Sequence, residues 1–89
     1  MLVIDMINGL GGLIDESANP KTATVIKAVN AAIDKNKQQL VNPEAWKAQR
    51  DIVLLIMSKI PTLKPYSIVV AAIFEIVIQI VEIENVSAS

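Results

Sequence analysis

Apolar side chains recur at spacings of three and four along most of this chain, in four stretches set apart by proline, asparagine or polar residues. That period marks helices with one apolar face. The first stretch, residues 2–14, puts Leu2, Val3, Met6, Ile7, Leu10, Leu13 and Ile14 on one side. Gly9, Gly11 and Gly12 interrupt it, and a glycine inside a helix costs about 1 kcal/mol relative to alanine. The expectation is a loose amphipathic arm, either a helix with a flexible middle or two short turns. Its small residues also allow another helix to approach closely.

Asp15 to Asn19 read as a polar link, and Asn19-Pro20 as an N-cap followed by proline in the first helical turn. The second helix is expected over 20–40. Val25, Ile26, Val29, Ala32, Ile33 and Leu40 form its inner stripe, while Lys27, Asn30, Asp34, Lys35, Lys37 and Gln38 face water. Asn42-Pro43 repeats the cap-and-proline device and opens a third helix over 43–60, with Glu44 at its positive end. Trp46 anchors its polar first half, where Lys47 and Asp51 are one turn apart and expected to pair. Ile52 to Met57 is an unbroken apolar run, covering every face of a helix, so it must be surrounded on most sides. Pro61 and Pro65 bracket a short link, which makes the third and fourth helices antiparallel neighbours. The fourth is expected over 65–84, with a frayed tail at 85–89.

The run Tyr66 to Ile83 holds only Ser67, Glu75, Gln79 and Glu82 among Ile, Val, Ala and Phe. Its β-branched content leans toward strand. Its period does not: Glu75, Gln79 and Glu82 share one helical face, whereas in a strand Glu82 would flip to the opposite side. Strands also rarely exceed about ten residues. A helix with a polar stripe is the expectation.

Three surroundings suit such a helix. It crosses a membrane, with Glu75 near mid-depth facing a partner, cavity or pore and Tyr66 at the interface as an aromatic anchor. Or it lies in the core of a soluble oligomer, stripe outward. Or it packs in a monomeric bundle with the stripe in water, which leaves too little cover for Ile52 to Met57. In the membrane case the cations Lys47, Arg50, Lys59 and Lys64 precede the span and put the C-terminus outside. In a pore, Glu75 and Gln79 would line the lumen and Glu82 its mouth. The contact surface toward membrane or partner is expected to comprise Ile52, Leu55, Ile56, Tyr66, Ile73, Phe74, Ile76 and Ile80.

Composition sharpens this. At 89 residues the chain suits a single domain, 1–89, with 53% hydrophobic and only 19% charged residues and a mean hydropathy of +0.49. That is more apolar side chain than a lone bundle of this size hides. Net charge is −1 with no basic block, so nucleic acid is not an expected partner. The chain has neither cysteine nor histidine. Disulfides, thiolate chemistry and the usual transition-metal ligands are therefore excluded. Gly9-Leu10-Gly11-Gly12 lacks the Lys-Ser/Thr of a phosphate loop. The N-terminal residues carry Asp5 and no positive region, unlike a signal peptide.

The sequence thus predicts an all-α protein of four helices with an apolar C-terminal hairpin and no catalytic, cofactor or metal residues. It is expected to act by assembly, as a membrane-associated or self-oligomerising structural component of viral or membrane-complex type. Its partners would be itself, a larger assembly or a lipid membrane. The alternatives are a soluble interaction module, cytoplasmic or within a virion, and a holin-like permeabiliser.

Overall fold

The helix boundaries follow from a few local bonds. In the computed structural model, which describes residues 2–16 and 22–88 and the side chains of 2–11 and 22–86, four helices form: α1 (Leu2–Glu16), α2 (Thr22–Asn36), α3 (Pro43–Ser58) and α4 (Ser67–Ala88). Among the described residues there is no strand. The Asn19-Pro20 cap and Ser89 lie outside the described residues, as do the side chains of Leu13 and Ile14.

α1 is one continuous helix through its glycines, not a loose arm or two turns. Leu2, Met6 and Leu10 sit in the core at 3% exposure or less, and that burial outweighs the glycine penalty. α2 passes near Gly9, but a methyl added there would meet Ala28 Cβ at 3.5 Å, an ordinary contact. Close approach therefore does not demand glycine at this position.

α2 stops at Asn36, four residues short of the expected Leu40. The buried Asn36 amide donates to Ala32 O at 2.8 Å and to Asp5 Oδ2 at 2.6 Å. Gln39 and Leu40 N–H then both donate to Asn36 O, at 3.0 and 3.1 Å, closing a turn. Asn42 caps α3 as expected, its Oδ1 accepting from Ala45 N–H at 2.8 Å, with Pro43 in the first turn. α3 ends at Ser58 rather than Ile60. Beyond it, Leu63 and Lys64 N–H both donate to Ile60 O at 3.0 Å, and Leu63 is 1% exposed. The Pro61–Pro65 link is thus a tight turn with Leu63 buried beneath it. Pro65 sits in a 3₁₀ turn, Lys64–Tyr66, which leads into α4. α4 continues to Ala88 instead of fraying after residue 84; no glycine or proline interrupts 85–88.

The ion pairs reveal the topology. Asp5 near the start of α1 meets Lys35 near the end of α2, at 3.0 Å. Arg50 and Lys47 of α3 meet Glu75 and Glu82 of α4, in reversed order. Both neighbouring pairs are therefore antiparallel hairpins. They stack into a body of 47 × 20 × 20 Å, with α1 also touching α3 and α2 touching α4. The centre holds Trp46 and Phe74, both fully buried, ring centroids 6.3 Å apart and tilted by 59°. That geometry suits an aromatic pair. Trp46 Nε1–H donates to Leu40 O at 2.7 Å, tying the α2–α3 connection to the core.

Asp5 also makes the fold acid-sensitive. The hydrogen bond from Asn36, then that from Lys35, lowers its pKa from 3.8 to about 2. A carboxyl with a depressed folded-state pKa stabilises fully above its unfolded value and loses that contribution as pH falls through the folded one. Wild type is thus expected to exceed Asp5→Asn in stability near neutral pH, with the advantage vanishing between about pH 4 and pH 2. Urea denaturation of both chains across that range checks this; a constant difference would rule it out.

Candidate functional site

α4 is 22 residues long, about 33 Å at 1.5 Å per residue. Its inner face is Val70, Phe74 and Ile78, each at most 3% exposed. Its outer face is also apolar: Ile68, Ile76 and Ile83 are 79%, 59% and 66% exposed. It is the one helix among the described residues long and apolar enough to cross a membrane, and only 17% of its apolar window is buried within the chain.

The polar stripe does not occupy that outer face. Glu75 and Glu82 lie on the shoulder turned toward α3. Glu75 accepts from Arg50 Nη1, and Glu82 lies 3.4 Å from Lys47 Nζ. Arg50 also donates through Nε to Asp51 at 3.2 Å. Its pKa is raised by the hydrogen bond to Asp51 and, next, by that to Glu75. The expected Lys47–Asp51 pair is thus replaced: Lys47 reaches across to α4, and Asp51 joins its neighbour Arg50. These partly exposed pairs contribute little stability each, but they leave the shoulder close to electrically neutral. Gln79 is exposed, further round toward the outer face.

The expected contact residues divide. Ile52, Leu55, Ile76 and Ile80 are 43–59% exposed. Tyr66 and Ile73 are half-buried and pack against the core. Phe74 is a correction: it lies wholly inside, against Trp46, and offers nothing outward. Ile56 is half-buried and faces α1 across an apolar slot of about 120 Å³ that it lines with Val3, Met6, Ile7, Val53 and Met57. The slot matches one small aromatic ring in volume, with no polar lining to orient it.

Two polar features had no sequence signal. The Asp5–Asn36 bond joins residues 31 apart, a separation no helical spacing suggests. Gln49 is 9% exposed and its Oε1 is buried without a hydrogen-bond partner; it borders none of the larger surface hollows. The pairing of Lys47 and Arg50 with Glu82 and Glu75 likewise had no sequence signal, since the two cations are three residues apart and the two carboxylates seven. No three carboxylates converge into a metal site among the described residues. Comparison with protein-family models, with curated proteins and with solved structures returned no significant match.

Proposed function

We propose that this chain is a non-enzymatic assembly protein whose working surface is the outward face of α4. The observation that carries this reading is the exposure of Ile68, Ile76, Ile80 and Ile83 along one face of α4, a longer run than the scattered exposure of Ile4, Ile7, Val41, Ile52 and Leu55 elsewhere. Such a strip, on the order of 500 Å², is at the upper end of what a soluble monomer leaves uncovered. Covering each isoleucine fully would contribute about 1.5–3 kcal/mol.

A protein neighbour suits the closed fold better than a bilayer. α3 lies alongside α4 and carries Asp51, 70% exposed, beside the Arg50–Glu75 pair. Inserting α4 with the hairpin intact would take Asp51, Arg50, Lys47 and Glu75 toward mid-membrane, at a cost of at least about 2.5 kcal/mol per charge. Opening the hairpin would separate Trp46 from Phe74. Membrane association remains the second reading, supported by the length and apolarity of α4.

Carbonate extraction of the expressed chain tests the two. The expected result is release into the supernatant, followed by elution without detergent at a mass above the 9.6 kDa of one chain. Retention in the carbonate-washed pellet would overturn the protein-docking reading.

A further inference from the structure

We infer that the occupant of the α4 outer face is a second copy of this chain, docked in parallel with Gln79 meeting its own copy at the centre of the seam. This rests on the reading of that face as a protein-docking surface. Val69, Ala72, Ile76, Gln79 and Ile83 follow one another at intervals of three and four. That alternation is a heptad seam, with Val69, Ile76 and Ile83 at one core position and Ala72 and Gln79 at the other. From Ala72 onward the seam coincides with the exposed side of the helix: Ile76 and Ile83 are 59% and 66% exposed, Ala72 and Gln79 are exposed as well, and Val69 is half-buried. Two-stranded seams pair β-branched residues at the first position with leucine at the second; here the second position holds Ala72, which lets the helices approach closely, and Gln79.

Two observations point to a copy of the chain rather than to an unrelated helix. The first is charge. Glu75 and Glu82 flank the seam, and in a symmetric pair unscreened carboxylates would gather along it. Arg50 and Lys47 of the same chain already answer them, and the opposite flank is Ile73 and Ile80. The rim is therefore near neutral and compatible with itself. The second is Gln79. Its amide donates and accepts, so in parallel register it hydrogen-bonds its twofold mate, whereas against lipid it would go unpaired. A single polar residue in such a seam fixes register and strand number at some cost in affinity. Covering that strip of roughly 500 Å² on each copy falls below the standard ~800 Å² per partner, so the dimer is expected to be weak and concentration-dependent.

The test is sedimentation equilibrium of the full chain from low to high micromolar concentration, with three variants. Wild type is expected to pass from monomer to dimer. Ile76→Lys with Ile83→Lys, both at exposed positions, should retain helicity by circular dichroism and weaken the dimer at least 100-fold. Gln79→Leu should broaden the mass distribution beyond dimer. Because the chain has no cysteine, Ala72→Cys introduces a single thiol, which under mild oxidation should cross-link copy to copy only in parallel register. A dimer that survives the double lysine variant, or one that Ala72→Cys fails to cross-link, would overturn the parallel α4 seam without touching the assembly reading. So would a chain that stays monomeric throughout. Retention in the carbonate-washed pellet would instead remove the assembly reading on which the seam depends.

Discussion

Trp46→Ala is expected to lower the urea midpoint by about 2 M or more. Trp46 is fully buried, packs against Phe74 and ties down Leu40 O through its indole N–H. Truncating a buried tryptophan costs about 3–5 kcal/mol in transfer and cavity terms, and the lost hydrogen bond adds about 1 kcal/mol. A domain of this size has only about 5–10 kcal/mol in total, so the variant should be barely folded. Trp46 is the only tryptophan, so unfolding must be followed by far-ultraviolet circular dichroism rather than fluorescence. Trp46→Phe retains an aromatic ring and should lose much less. Equal, small losses in both variants would show that Trp46 is not the centre of the core.

Phe74→Ala is expected to cost about 3–4 kcal/mol, whereas Ile76→Ala, two residues along the same helix, should cost less than about 1 kcal/mol. The contrast comes from facing alone: Phe74 is fully buried and Ile76 is 59% exposed. Both should be measured by denaturation at one low protein concentration, so that association does not enter the apparent stability. Self-association should respond in the opposite order, weakening in Ile76→Ala and hardly changing in a still-folded Phe74→Ala sample. A Phe74→Ala chain within about 0.5 kcal/mol of wild type would return Phe74 to the outer surface, where its sequence neighbours alone would place it.

Physical reasons separate what the sequence made legible from what it hid. Helix existence was readable because apolar spacing is a local property, repeated over several turns in each element. The Asn42-Pro43 cap was readable for the same reason, as its bond spans three residues. Helix ends were less so. α2 closes at Asn36 because that side chain finds Asp5 across a hairpin, and α3 stops at Ser58 because Ile60 O gathers two turn bonds from Leu63 and Lys64. Asp5 cannot be named as a partner of Asn36 before the chain is folded, since 31 residues separate them; the turn bonds to Ile60 O are local, but the spacing of apolar residues does not mark them. At the candidate site, the uniform apolarity of α4 hid its facing. With Ile and Val on nearly every side, the three polar residues were the only directional marks, and two of them, Glu75 and Glu82, mark the shoulder bonded to α3 while Gln79 alone lies toward the outer face.

By itself, then, the sequence determined that this protein is all-α, built of four helices, and carries more aliphatic side chain than one small bundle hides. Those properties depend on residue type and on spacing within a few turns. Only the tertiary structure decided that α1 is an integral helix, that Phe74 turns inward, and that Glu75 and Glu82 are answered by Arg50 and Lys47. It also decided that the face left open on α4 is an aliphatic seam with Gln79 within it. Those properties depend on which helix lies against which, and hence on contacts between residues far apart in the chain.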